Sequence, residues 1–178
     1  MINSLLWPAI TAVISVLTYF GGKSLERRKA IMHIRLELLK PIEEWLEQVT
    51  RIESIIGDEV TSITQGRASR ATYQFEDRAK TTQRLSEDKL KILGILESKS
   101  LRTWGTRKSS ILLEVLVPKI ATHLETKFLP AQINFMSTLT AGDPPDSEFA
   151  ELLYMTEILR DLIKEAYGLI AILKTSFV

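Results

Sequence analysis

No cysteine occurs anywhere in the 178 residues. A disulfide framework, a thiolate metal site and a cysteine nucleophile are excluded at once. Histidine is nearly absent: His33 and His123 are the only two. The residues three before them are Ala30 and Ile120, so the Glu-x-x-His pair of carboxylate-bridged metal bundles is missing. His-Glu-x-x-His is missing too. The eight glycines are scattered. They build neither of the glycine-rich phosphate loops nor a Gly-x-Ser-x-Gly elbow. No Asn-x-Ser/Thr sequon, no internal repeat and no useful β-type alternation occurs. These absences predict an all-α protein without a cofactor or a metal.

Charge of either sign is missing from Met1 to Gly22. The run Leu5-Leu6-Trp7-Pro8-Ala9-Ile10, then Ala12-Val13-Ile14 and Val16-Leu17, is just long enough for a span. At about 1.5 Å per residue, about 20 residues cross a hydrocarbon core of about 30 Å. Pro8 falls in the first turns, where a missing N–H costs little, and Asn3 or Ser4 can cap them. Trp7 and Tyr19 stand near the two ends, as interfacial aromatics do. Thr11, Ser15 and Thr18 recur at helical intervals. A signal peptide would need a basic start and a small-x-small cleavage site, and neither is present. Lys23, Arg27, Arg28 and Lys29 follow directly. The positive-inside rule then predicts an outside N-terminus and a cytoplasmic domain. The expected division is a transmembrane anchor over 1–22 and a cytoplasmic helical domain over 23–178. The location expected is a cell membrane, namely a bacterial inner membrane.

Hydrophobic residues make up 45% of the chain, enough to build a core rather than a disordered tail. The net charge of +1 conceals alternation. Residues 23–40 carry six basic and two acidic side chains, and residues 41–66 carry six acidic and one basic. Residues 67–108 turn basic again, and 109–178 acidic. Such blocks suit helices that face one another.

Spacing predicts the helices. Ile31, Ile34, Leu38, Ile42, Trp45, Val49, Ile52 and Ile56 recur at steps of three and four, giving a helix over Ser24–Ile56. Pro41 predicts a kink or restart near Lys40, Gly21-Gly22 a hinge, and Gly57 the end. A loop should follow over Gly57–Arg70. A second stretch, Ala71–Ser98, shows Phe75, Ala79, Leu85, Leu93 and Leu96, with a fresh start at Ser86-Glu87-Asp88. After a basic loop at Lys99–Lys108, a third helix covers Ser109–Leu139 with Leu113, Val117, Ile120, Leu124 and Phe128 on one face. Pro118 and Pro130 should each bend or restart it. Ala141–Asp146 is the clearest break. The last helix should run to Ser176, with Leu152, Leu159, Ile163, Ala166, Ile170 and Leu173 as its stripe. The architecture expected is a transmembrane helix followed by an antiparallel bundle of about four helices.

Two clusters stand out for function. Glu43, Glu44 and Glu47 read as a solvated face or as partners of a basic helix. The basic loop around Trp104 is the stronger candidate. Arg102, Trp104, Arg107 and Lys108 there suit contact with anionic lipid, and a phosphate backbone less well. The partners expected are membrane lipid and another protein, or a second copy, met through helix faces. Nucleic acid is not expected. An anchor plus amphipathic helices without catalytic chemistry predicts a non-enzymatic, single-pass adaptor, assembly factor or small subunit of a membrane complex. The rival readings are a self-oligomerising membrane-acting effector and a membrane-tethered enzyme without a recognisable motif.

Overall fold

The computed structural model describes the backbone of residues 3–65, 71–99, 101, 107–141 and 146–177, and the side chains of 15, 18–63, 65, 76–99, 101, 107–141 and 146–176. Every element is helical: α1 (Asn3–Thr64), α2 (Ala71–Glu87), α3 (Lys89–Leu96), α4 (Arg107–His123), a π-type turn (Leu124–Phe128), α5 (Leu129–Ala141) and α6 (Asp146–Phe177). The chain is all-α, as its periodicity predicts.

The elements form four rods arranged in a ring. The second half of α1 packs on α2, α3 and α6. Helices α2 and α3 pack on the α4–α5 rod, which packs on α6. Among the described residues α1 does not touch α4 or α5, so those rods are diagonal. Cross-links fix the directions. Glu43 meets Lys174 and Glu53 meets Arg160, so α1 and α6 run antiparallel. Thr82 meets Gln132 and Lys89 meets Glu125, so the α2–α3 rod opposes α4–α5. The result is an up-down-up-down bundle.

Helix α1 runs unbroken for 62 residues, about 93 Å at 1.5 Å per residue. The restart expected near Lys40 is absent, and Pro41 sits inside the helix. An interior proline costs about 3 kcal/mol. Next to it Leu39, Ile42 and Leu46 are fully buried and Trp45 nearly so. Each such side chain contributes about 1.5–3 kcal/mol, so packing outweighs the lost N–H. Gly57 does not end the helix either, because Ile56 and Val60 on either side of it are both fully buried. A helical glycine costs only about 1 kcal/mol relative to alanine. A Cβ at Gly57 would stand 3.9 Å from Thr156 Cγ2 of α6, so the two helices lie close here.

The expected break before α3 is present at Asp88, but its capping chemistry is not. The Asp88 side chain makes no capping hydrogen bond, and Ser86 Oγ donates to Gln83 O. Helix α4 begins at Arg107 and runs through Pro118 without a break. The wide turn stands directly before Pro130. There Leu129 N–H bonds to Leu124 O, five residues back. A proline cannot supply the ordinary four-residue bond, and the wider turn absorbs that loss.

The predicted stripes of the third and last helices are buried throughout. That of the first divides. Ile42, Trp45, Val49, Ile52 and Ile56 lie in the core, whereas Ile31 and Ile34 are exposed. Residues 18–31 are all exposed, so this part of α1 projects from the bundle. Phe75 lies outside the residues whose side chains are described. Among the described residues no helix is long and apolar enough to cross a membrane. Most of the expected span over 1–22 falls outside the described side chains.

Candidate functional site

The four predicted topology residues lie on the projecting part of α1. Lys23, Arg27, Arg28 and Lys29 are all exposed. At 3.6 residues per turn they spread around the helix and form a collar rather than a stripe. The Lys23 ammonium stands 5.7 Å from the Tyr19 ring centroid, and Tyr19 meets Phe20 edge-on at 5.7 Å. The first is a cation–π distance.

The bundle brings Arg107 and Lys108 of the second candidate group to the end at which α1 enters. Helix α3 pairs with the early core of α1, and the end of α6 reaches Glu43 through Lys174. The end of α3 and the start of α4, with the described residues of the connection between them, therefore lie at the same end. Leu101 in that connection is fully buried. Arg102 and Trp104 lie outside the described residues. Arg107 and Lys108 are exposed in the first turn of α4 and line a surface hollow with Ile111 and Leu112. Ile111, Leu112 and Val115 are all exposed, so the basic pair borders an apolar patch. The structure thus joins Arg107 and Lys108 of the predicted cluster to apolar residues that no local signal singles out.

Of the three clustered glutamates, Glu43 is half-buried against Lys174 of α6. Glu44 and Glu47 are exposed. The two histidines are far apart in role. His33 is exposed on α1, while His123 is buried in α4 with Nε2 2.9 Å from Met155 O. That oxygen can only accept, so the ring carries its proton on Nε2. Burial holds His123 below its ordinary pKa, partly opposed by the Met155 carbonyl. Among the described residues no group of three or more His, Cys, Asp or Glu could hold a metal ion.

Two charged contacts inside the bundle are not foreshadowed by any motif. Glu53 is nearly buried and receives both Nε and Nη2 of Arg160 on one oxygen, at 2.9 and 2.7 Å. Glu59 faces Arg78 at 3.6 Å, an ion pair too long to be a good hydrogen bond. Burial raises the Glu59 pKa, and the Arg78 charge only partly offsets this.

No protein-family model, curated protein or solved structure matches the chain. The functional reading therefore rests on the chain's own physical chemistry.

Proposed function

We propose that the protein is a single-pass membrane-anchored adaptor, assembly factor or small subunit, with its bundle on the cytoplasmic side. The observation that carries this is the course of α1. One helix joins an N-terminal stretch without charge, an exposed basic collar and the bundle core. A collar of cations directly after an apolar stretch is what the positive-inside rule requires of a stop at the inner face.

The same helix sets a spacing. From Gly22 to Leu39, where full burial begins, the helix advances roughly 25 Å at 1.5 Å per residue. With α1 upright, Arg107 and Lys108 stand that far from the headgroups. The Debye length at physiological salt is only about 8 Å. This favours a protein partner over lipid for the Arg107, Lys108, Ile111 and Leu112 surface. Lipid contact falls instead to the collar.

The test uses the absence of cysteine. Ser4→Cys and Ser176→Cys, each alone in the full chain, are labelled with a membrane-impermeant maleimide on intact cells. The reading expects position 4 to label at once and position 176 only after permeabilisation. Release of the protein by alkaline carbonate, or equal labelling at both positions, would overturn the anchor. Mild-detergent purification with light scattering then tests the adaptor role. A stoichiometric second protein supports it; a homo-oligomer alone overturns it in favour of a self-assembling effector.

A further inference from the structure

Helices α1 and α2 run antiparallel, tied by Trp45 to Leu85 at one level and by Glu59 to Arg78 further on. Between those ties the two helices leave a hollow of about 280 Å³. Its apolar floor is Ile52, which is buried, with the half-buried Ile55 beside it. Three arginines line the same hollow: Arg51 from α1, and Arg78 and Arg84 from α2. At 3.6 residues per turn, Arg78, Thr81 and Arg84 follow one another along one side of α2. The two α2 arginines stand roughly 9 Å apart along the axis, at 1.5 Å per residue, with Thr81 between them. Arg51 reaches in from the opposite helix.

The protein itself matches these guanidiniums poorly. Arg51 is exposed and makes no hydrogen bond or ion pair among the described residues. Arg84 is exposed and donates through Nη2 to Gln48 Oε1 at 3.4 Å, a neutral acceptor at the edge of bonding distance. Arg78 faces a carboxylate, Glu59, but at 3.6 Å. Among the described residues no carboxylate lines the hollow. Glu47 and Asp77, close to these arginines in sequence, form no ion pair with them. The Thr81 hydroxyl donates to Asp77 O at 2.9 Å, so it offers no proton to the hollow. An arginine only donates, so the Gln48 oxygen is the atom turned to Arg84, and the Gln48 NH₂ is left as a further donor. The hollow thus presents positive charge and N–H donors over an apolar floor. Three like charges around one hollow repel one another, and a bound anion relieves that repulsion. The planar fork of a guanidinium matches an oxyanion with paired hydrogen bonds.

We propose that this hollow binds a small phosphate monoester. Arg51, Arg78 and Arg84 hold the phosphate, and an apolar or aromatic group lies against Ile52 and Ile55. A phosphate monoester carries close to two negative charges at neutral pH and three strongly accepting oxygens, enough to engage all three guanidiniums. A carboxylate has one charge and suits one fork. The volume falls just under the usual range of about 300–1,000 Å³ for small-molecule sites, so the ligand is a small one. With α1 anchored upright, Arg51 lies about 33 Å along the helix beyond Lys29, out of reach of lipid headgroups. The inference itself does not depend on that anchor.

The test titrates the full chain with phenyl phosphate, benzoate and inorganic phosphate by calorimetry, in a non-ionic detergent at fixed ionic strength. At about pH 7.5 phenyl phosphate is almost wholly the dianion. It is expected to bind at least about tenfold more tightly than either of the others. Arg51→Gln removes a side chain without a partner in the protein. Its urea midpoint should stay where it is, while phenyl phosphate binds about fivefold more weakly. Arg84→Gln should weaken binding as well. Lys119→Gln removes the same charge from an exposed position on α4 and should leave the affinity unchanged. Benzoate or inorganic phosphate binding as tightly as phenyl phosphate overturns the proposal. So does an unchanged affinity in Arg51→Gln, or an equal loss in Lys119→Gln. Binding of a phosphoserine peptide with no response to phenyl phosphate also overturns it, in favour of a protein ligand.

Discussion

The Trp45 indole N–H donates to the Leu85 carbonyl across 2.9 Å, from the core of α1 to the last turn of α2. Helix ends leave carbonyls without intrahelical donors. The indole satisfies one of them at the very place where α2 gives way to α3. Trp45 is thus both a large apolar side chain and the polar link that fixes α2 against α1. Trp45→Phe keeps most of the apolar area and leaves the Leu85 oxygen unpaired. A loss of about 1–3 kcal/mol is expected in urea unfolding. An unchanged midpoint would show that the bond contributes nothing.

Glu53 and Arg160 make a second test, because their environments differ. The Glu53 side chain is only 6% exposed, whereas that of Arg160 is 50% exposed. Removing the arginine strands a buried carboxylate; removing both does not. Arg160→Leu is expected to lose about 2 kcal/mol, a value reduced for the arginine's exposure to water. The double variant Glu53→Leu with Arg160→Leu should recover part of that loss. A double-mutant cycle measures the coupling, and a double variant less stable than Arg160→Leu would contradict it.

His123 gives stability a pH dependence of known sign. Its folded pKa lies below the ordinary value, chiefly through burial. In the unfolded chain it takes up a proton near pH 6.5, about the free value, while the native chain resists until lower pH. Its contribution is complete above that value and declines as pH falls towards the folded pKa. Glu59 works the other way. Burial raises its pKa, so its ionisation lowers stability as pH rises from its ordinary value. His123→Gln retains a side-chain N–H donor and cannot titrate. Urea midpoints measured on both proteins should diverge in pH dependence below about pH 6.5. Parallel profiles would show that His123 is not the group responsible.

The continuity of α1 can be measured directly. Thr18→Cys and Glu44→Cys place two spin labels on exposed positions in a chain with no other thiol. They bracket Gly21, Gly22 and Pro41. An unbroken helix separates them by about 39 Å at 1.5 Å per residue, with a narrow distribution. A broad or much shorter distribution would place a hinge at the glycines or the proline. A Cβ at Gly21 or Gly22 meets nothing within 4 Å. Gly21→Ala with Gly22→Ala is therefore expected to leave the distance unchanged and to raise helix stability by about 1 kcal/mol for each replacement.

The stripes on the last two rods are legible from spacing alone. Leu113, Val117 and Ile120, and Leu159, Ile163 and Ala166, are buried as their steps of three and four require. Asp146 starts α6 directly after the Pro144-Pro145 pair in the sequence. Local signals failed wherever tertiary contacts oppose them. Pro41 and Gly57 are ordinary breakers, yet both lie inside α1 because their neighbours are sealed in the core. The Gln132 carbonyl oxygen, buried without a hydrogen-bond partner, is invisible in sequence, since no local signal marks it.

The sequence by itself determined the helical class, the apolar faces and the collar of cations after an uncharged stretch, because these depend on period and charge along one chain. Only the tertiary structure decided which rods are neighbours and where α1 leaves the core. It also placed Arg107 and Lys108 beside an apolar patch, gave Glu53 to Arg160 and left the Gln132 oxygen unpaired. Those outcomes turn on contacts between distant segments, such as Glu53 and Arg160, which lie 107 residues apart. Their energies come from burial and desolvation, which exist only once the bundle has closed.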